Sequence, residues 1–202
     1  EGYVVDIFRV TGGSRHEYTL GGDANRDADF RTNLALQPYN DYLLPPGTEV
    51  RMPESENDYG DAEGHYYGYI YVQDVAKADV PDGRYELTLE TRDDNGTEQA
   101  KLKIVGMTDP GMNELFIGRA PSLRATRLYG TSKDINTEAL KYTMPKFVLR
   151  RTGTDLSSTF VTVMEAYPGS GAPRIERIER LVPDQFSAGD VALKISYGTT
   201  TD

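Results

Sequence analysis

The sequence predicts an all-β protein built as an antiparallel β-sandwich. Three observations lead to this prediction: short segments that alternate apolar and polar residues, turn signals between them, and almost no helical periodicity. Tyr85, Leu87 and Leu89 fall on one face of such a segment, with polar residues between them. Asn95-Gly96 follows as a hairpin signal, because a two-residue primed turn requires positive φ. Turns recur every roughly 8 to 15 residues, which is typical of a sandwich.

The strands are predicted in order from the N-terminal end. Residues 3–10 are rich in Val, Ile, Phe and Tyr, and residues 14–20 alternate in polarity. Gly12-Gly13 between them predicts that the two strands form a tight hairpin. Further strands are predicted over 66–73, 85–91, 100–104, 115–119, 123–128, 146–151, 158–166, 174–182 and 191–197, with one short helix near 136–141.

A long acidic segment, 21–64, separates the first strand pair from the rest. We predict a loop insertion here, interrupted by a strand near 31–36 and by a turn at Pro45-Pro46-Gly47. Its last part, 53–64, has almost no aliphatic side chains, so burial cannot offset the cost of ordering its backbone. We therefore expect 53–64 to be mobile in this chain and ordered by a neighbouring domain in a larger protein.

Composition limits the classes of function. The chain has 202 residues, no Cys and a net charge of −10. This length suits one β domain, which we assign to 1–202. The negative charge excludes nucleic acid as a favoured partner, since phosphate binding requires clustered Lys and Arg. No apolar run approaches the ~20 residues of a membrane helix, so no membrane span is predicted. The chain begins at Glu1, and we expect a fragment of a larger protein.

Two stretches resemble the heparinase II/III-like polysaccharide lyases, a family that includes alginate and heparin lyases. The first is YVVDIFRVTGGSRHEY, residues 3–18, which matches a family pattern of Asp-Ile/Val-Phe-Arg-Val, Gly-Gly and His-Asp-Tyr, with Glu17 in place of Asp. The second is FIGRAPSLRATRL, followed by MPKFVLRRTG and SSTFVTVMEAY. Together the two stretches cover about half of the chain. Where the family often has a second His before Gly, this sequence has Gly21-Gly22.

The resemblance implies a C-terminal β-sandwich that belongs to a larger supersandwich, preceded by a helical toroid domain in the same parent protein. It implies a bacterial protein that is secreted, periplasmic or at the cell surface and cleaves or binds acidic polysaccharide. The family's main catalytic Tyr and His, and the zinc ligands of some members, would lie upstream. This chain would then supply scaffold and one wall of the cleft, with no cofactor and no activity of its own. The alternative is a non-catalytic carbohydrate-binding or cell-surface structural module.

His16 and Tyr18 are the candidate catalytic residues. They lie two residues apart on one strand face, where an imidazole and a phenol could abstract and donate protons during β-elimination of a uronate. The competing interpretation is a buried, hydrogen-bonded His beside a core Tyr.

Arg15 and three tyrosines are the candidate substrate-binding residues. Arg15 lies on the opposite face from His16, and a guanidinium group suits carboxylate binding. Tyr67, Tyr69 and Tyr71 share one face of the predicted strand 66–73, where exposed rings could stack on sugars. Cross-strand packing is the competing interpretation of such a row, and the absence of Trp favours it.

The pattern Asp-x-Asn-x-Asp-x-Asp is a weak calcium candidate. Carboxylates at alternate positions of a tight loop can converge on Ca²⁺. The EF-hand template also requires Gly and Glu where this chain has Ala28 and Leu34, so the full template fails. A solvated acidic loop is the competing interpretation of the four residues Asp23, Asn25, Asp27 and Asp29.

Overall fold

The protein is nearly all β, as the sequence predicts. The computed structural model describes residues 2–55, 57–124, 141–181, 189–198 and 200–201. Strands account for 58% of the described residues and helices for 3%, in antiparallel sheets that pack against each other as in a β-sandwich. The predicted strand 123–128 and the predicted helix 136–141 fall mostly outside the described residues. Within the described ranges, no helix is long and apolar enough to cross a membrane.

Fifteen strands and one 3-10 helix, Tyr67–Tyr71, are described. The strands are β1 (Val4–Thr11), β2 (Arg15–Gly21), β3 (Asp27–Arg31), β4 (Gln37–Tyr42), β5 (Val50–Arg51), β6 (Asp61–Ala62), β7 (Gln73–Asp79), β8 (Arg84–Arg92), β9 (Glu98–Met107), β10 (Met112–Pro121), β11 (Thr143–Thr152), β12 (Ser157–Pro168), β13 (Ile175–Leu181), β14 (Ala192–Tyr197) and β15 (Thr200–Thr201).

Two five-stranded sheets face each other across the main core. The first sheet has the order β1-β12-β9-β8-β3, and the second has the order β2-β11-β10-β7-β4. Alternate residues of both sheets point into the space between them, and each large apolar side chain buried there contributes about 1.5–3 kcal/mol. The large side chains of this core are Tyr18, Phe30, Tyr85, Leu87, Leu89, Ile104, Leu115, Phe147, Leu149 and Phe160.

Both sheets are also covered on their outer faces. A small sheet of β13, β14 and β15 packs its isoleucines against Val105, Val161 and Val163 of the first sheet. On the second sheet, Phe116 and Val148 pack against the segment that leads into β7. The 3-10 helix belongs to that covering layer and buries Ile70. The outer face of the second sheet is therefore where the helix meets strand β2.

The predicted hairpin at Gly12-Gly13 is wrong, because the two strands beside it lie in different sheets. β1 pairs with β12, and β2 pairs with β11. Gly12 and Gly13 have φ of 94° and 80°, so the positive φ that suggested a primed turn is present. It serves a corner between the sheets. A local sequence signal for positive φ cannot distinguish these two uses.

A second crossing runs beside this corner. The chain also passes between the sheets from β11 to β12, and backbone hydrogen bonds join the two crossings. Gly12 N donates to Leu156 O (2.7 Å), Leu156 N donates to Gly13 O (3.0 Å) and Gly153 N donates to Ser14 O (3.0 Å). The two strand pairs thus form one long antiparallel ribbon that bends from one sheet into the other.

The predicted strand 66–73 is also wrong over most of its length. Tyr67–Tyr71 is a 3-10 helix, and the strand begins only at Gln73. Packing explains the difference: Ile70 is fully buried against Leu44 and Ala62, which holds the segment in a tight turn. Gly68 allows the ring of Tyr66 to approach, since a Cβ there would lie 2.5 Å from that ring.

The segment 21–64 is not a single loop insertion. It contains the strands β3, β4, β5 and β6. The strand predicted near 31–36 is absent there, because β3 ends at Arg31 and β4 begins at Gln37. Ala28 and Phe30 enter the main core from β3, while Asp29 between them pairs with Arg92. Sequence reasoning therefore missed the alternating strand β3 because its composition is acidic.

The part 53–64 has an internal frame of hydrogen bonds. Asp58 binds Arg51 through two contacts of 2.5 and 3.0 Å and accepts the backbone N–H groups of Glu54 and Gly60. Ala62 is buried against Leu44 and Ile70. Sequence reasoning did not foresee these side-chain hydrogen bonds within the chain. The prediction of mobility itself is untested.

The corner gives a direct prediction for stability. Gly13→Ala should lower the free energy of unfolding by about 1 kcal/mol, since an L side chain resists positive φ even where space is open. No atom lies within 4 Å of the added Cβ, so a clash would not contribute. Gly2→Ala, which also meets nothing within 4 Å and has no positive φ, is the matched control. Equal urea midpoints for the two variants would contradict the corner conformation.

Candidate functional site

His16 is buried at the corner and uses both ring nitrogens within the fold. Its exposed fraction is 5%. Nε2 lies 2.5 Å from the carbonyl oxygen of Gly12, which can only accept, so Nε2 donates. Nδ1 lies 2.9 Å from Ser158 Oγ on β12. The imidazole thus ties the corner to the neighbouring strand and has no free nitrogen that faces solvent.

Tyr18 lies on the same inner face, packed in the main core. Its ring stacks on Phe160 with centroids 5.9 Å apart, and its hydroxyl donates to Asp6 Oδ2 at 2.8 Å. Burial raises the pKa of Tyr18 to about 12, and the hydrogen bond and charge of Asp6 add to that rise. The phenol is therefore neutral and engaged at ordinary pH. On the inner face of β2, His16 therefore holds the corner by hydrogen bonds, and Tyr18 packs in the main core.

The outer face of β2 carries a different group of side chains. Glu17 Oε1 accepts a hydrogen bond from Arg150 Nε on β11 at 2.6 Å, and Glu17 Oε2 accepts the hydroxyl of Tyr69 from the 3-10 helix. Arg15 precedes Glu17 by two residues, so both side chains share this face. Three elements distant in sequence thus meet at one carboxylate.

Arg150 is the buried member of this group. Its exposed fraction is 5%, and its guanidinium lies 4.6 Å from the ring centroid of Phe116. Nη2 has no hydrogen-bond partner among the described residues. Since a buried cation requires a counterion, Glu17 is the residue that makes this burial tolerable.

Tyr69 is held by its hydroxyl, whereas Arg15 remains accessible. Burial raises the pKa of Tyr69 to about 12, with Glu17 adding to the rise and the positive charges of Arg15 and Arg150 opposing it. Arg15 is exposed and makes no hydrogen bond or ion pair with the described residues. Its guanidinium is close enough to affect the Tyr69 hydroxyl, yet it is free to bind something else.

A cluster of tyrosines continues the outer face from Tyr69. The ring of Tyr66 lies 5.6 Å from Tyr69 and 5.1 Å from Tyr67, and Tyr67 lies 5.9 Å from Tyr59. Tyr66, Tyr59 and Tyr67 are 63%, 59% and 43% exposed. Tyr71 points its hydroxyl to the carbonyl oxygen of Tyr59 at 3.1 Å. We call Tyr59, Tyr66 and Tyr67 the tyrosine platform.

The structure brings together only some of the residues predicted for substrate binding. Tyr67 and Tyr69 are joined through the ring of Tyr66, and Tyr71 is half-buried beside them. Arg15 lies on the same face of β2 as Glu17, which binds Tyr69. They do not form a strand face, because the tyrosines lie on a 3-10 helix. Sequence reasoning missed Tyr59 and Tyr66, the two most exposed rings, since no period-2 pattern connects them to the others.

The four residues of the acidic pattern are divided among separate contacts. Asp23 accepts the backbone N–H of Asn25 at 2.7 Å in a local turn. Asp27 and Asp29 lie on β3, where the first pairs with Arg124 and the second with Arg92 and Arg119. Within the described residues, no three Asp, Glu, His or Cys side chains gather as a metal site.

Arginine side chains stabilise the ionised carboxylate of Asp29. Burial alone would raise the pKa of Asp29, but the hydrogen bond from Arg92 and the surrounding guanidinium charges lower it below its ordinary value. The guanidinium groups of Arg92 and Arg119 thus supply the positive charge that a metal ion would supply at a calcium site.

No family model matches the chain, and no curated protein matches it.

Removing Glu17 tests whether Arg150 depends on it. Glu17→Ala should lower the free energy of unfolding by about 3 kcal/mol, because the guanidinium would stay buried without a counterion. The control is Glu86→Ala, whose half-exposed carboxylate pairs with Lys103 at 3.6 Å and should matter by less than about 1 kcal/mol. Chemical denaturation of both variants measures the difference. Similar losses in the two would show that the Glu17 pair has no special role.

The buried tyrosines predict a loss of stability at alkaline pH. Tyr18 and Tyr69 have pKa values of about 12 in the fold against 10.0 for an exposed tyrosine. The folded state holds these protons more tightly, so their contribution is complete below pH 10 and is lost as the pH rises towards 12. Urea midpoints should fall over this range, and less so in Tyr69→Phe than in the control Tyr66→Phe. Identical pH profiles for both variants would contradict the Tyr69 assignment.

Proposed function

We propose that this chain is the C-terminal β-sandwich part of a heparinase II/III-like protein that acts on or binds acidic polysaccharide. In this proposal it supplies scaffold and one wall of the cleft. The observation that carries it is the division of strand β2: His16 and Tyr18 are engaged inside the sandwich, while Arg15 is exposed and unpaired beside exposed tyrosines. In the segment that resembles the lyases, Arg15 is thus available to bind a ligand, whereas His16 and Tyr18 are not available as base and acid.

Arg15 supports an acidic ligand at this surface in spite of the net charge of −10. Many arginines of the chain, such as Arg31, Arg92 and Arg119, are paired with carboxylates. Arg15 has no such partner among the described residues, so its planar donors are available to a ligand carboxylate. A polyanion would need further basic groups, which we place in the upstream helical toroid region of the parent protein.

The chemistry of β-elimination supports a catalytic pair outside this chain. The reaction requires a base for the proton beside the carboxylate and an acid for the leaving oxygen. The ring nitrogens of His16 both bind the fold, and the phenol of Tyr18 keeps its proton. A parent protein that degrades extracellular polysaccharide would be secreted, periplasmic or at the cell surface, and we propose that location.

A non-catalytic carbohydrate-binding or cell-surface module is the second candidate. The tyrosine platform favours it, because exposed aromatic rings bind ligands without performing chemistry. Both candidates share saccharide binding and differ in whether the parent protein forms a product.

We expect the full-length parent protein to release unsaturated uronate product from at least one polyuronate, and the isolated chain to release none. Ultraviolet absorbance of the unsaturated product, followed against several polyuronates, is the measurement. The parent carrying His16→Gln serves as the matched variant and should keep its catalytic activity once its folding has been verified.

Two outcomes would overturn the lyase proposal. One is product from the isolated chain that disappears in His16→Ala, which would make His16 a catalyst. The other is a parent protein that binds polyuronate without any product, which would favour the non-catalytic module.

A further inference from the structure

The free edge of strand β1 is apolar and exposed. β1 forms one end of the first sheet and, among the described strands, pairs only with β12. Four of its large side chains, Val4, Val5, Ile7 and Phe8, have exposed fractions of 59%, 38%, 39% and 44%. Phe8 faces the inner layer, since its ring stacks on Phe160 with centroids 6.2 Å apart, and Ile7 therefore faces outwards. Exposure on both faces shows that the flank of the strand is uncovered, beside its unpaired backbone groups.

The three other outer edges of the two large sheets are protected against further pairing. β3 alternates charged residues along its edge, and Asp29 there is bound by arginines. β4 contains Pro38, which has no backbone N–H, and its register against β7 shifts after this residue. β2 carries Arg15 and Glu17, the second of which binds Tyr69. Charge, proline or a neighbouring side chain thus makes each of these edges a poor template for another strand.

Strand β1 shows no comparable protection. It contains no proline, and its eight residues pair with β12 in an unbroken register. Its two charged side chains are already engaged within the fold. Asp6 accepts the hydroxyl of Tyr18 at 2.8 Å. Arg9 donates to the carbonyl oxygen of Gly189 at 2.8 Å. An unbroken apolar edge of this kind is a template for the addition of a strand, in which backbone hydrogen bonds supply the affinity.

Strand β1 itself has the properties that its edge requires of a partner. The occupant must be an extended strand, because it has to pair with the free N–H and C=O groups, and it must be apolar on both faces. A second copy of β1 meets both conditions, since a two-fold axis normal to the sheet runs the strands antiparallel and keeps equivalent faces on one side. With this axis at Ile7, the two Ile7 side chains face each other, and Val4 of each copy faces Val10 of the other. Asp6 then faces Phe8, so no like charges lie directly opposite.

We propose that the protein self-associates through β1, so that the first sheets of two copies join as one antiparallel sheet. This inference goes beyond the proposed function and does not depend on it. A single pair of eight-residue strands is a small interface, and each copy carries a net charge of −10. The dimer should therefore be weak, with a Kd of about 10⁻⁵ to 10⁻³ M at a salt concentration that screens the repulsion.

Sedimentation equilibrium of the wild type and two variants, at up to about 1 mM, is the first test. Ile7→Lys places two positive charges opposite each other at the axis and should raise the Kd at least about tenfold. Met112→Lys is the matched control, because Met112 is an exposed apolar residue of β10 in the other sheet. This control should associate as the wild type does. Far-UV spectra show whether both variants are folded.

The absence of cysteine from the chain allows a second, independent test. Ile7→Cys places two thiols at the axis, where the Cα atoms of facing residues lie about 4.5–5.5 Å apart, within the range of a disulfide. Oxidation should give a covalent dimer, and Met112→Cys should give one much more slowly. Hydrogen exchange in the wild type should show alternate amides of β1 gaining protection as protein concentration rises, because every second N–H points to the free edge.

Three results would overturn the inference. The first is a wild type that stays monomeric at about 1 mM, even if a foreign strand peptide binds β1. The second is an equal loss of association in Ile7→Lys and Met112→Lys, because general apolar association would then explain the dimer. The third is a dimer in which alternate amides of β1 gain no protection, which would place the interface elsewhere.

Discussion

The bend of one strand ribbon from the first sheet into the second is the constraint on which the rest of the structure depends. The crossing at Gly12-Gly13 is hydrogen-bonded to the crossing near Leu156, so both strands of the ribbon change sheets together. This places β1 and β2 at the edges of opposite sheets and fixes their registers against β12 and β11. The main core then forms between the two halves of the ribbon and the strands that extend each sheet.

The corner also explains why the two faces of β2 have different roles, one structural and one exposed to a ligand. A chain that turns between sheets leaves backbone carbonyls that no longer face a partner strand, and a side chain can donate to them. His16 donates to the carbonyl of Gly12 and reaches Ser158, so a side chain with catalytic potential serves the fold. Period-2 alternation then places Arg15 and Glu17 outside, where Glu17 holds Arg150 and Tyr69. Fold and proposed binding surface depend on opposite faces of one strand.

Sequence patterns predicted the class of fold and most strands, because alternation such as that of Tyr85 to Leu89 is local and is decided by burial of one face. They failed where tertiary contacts decide. Gly12-Gly13 has the same signature in a hairpin and in a corner, and Ile70 forces a helix on a strand-like sequence by packing against Leu44. The placement of Tyr69 beside the outer face of β2 depends on its hydrogen bond to Glu17, which is distant in sequence, and no local periodicity predicts it.

The most direct measurement of this account is the pattern of nuclear Overhauser contacts between backbone protons of the first twenty residues and the rest of the chain. The account predicts contacts of β1 with β12, for example between Phe8 and Phe160, contacts of β2 with β11, and proximity of the His16 ring to Ser158. Contacts between facing residues of β1 and β2, as in a hairpin centred on Gly12-Gly13, would contradict it.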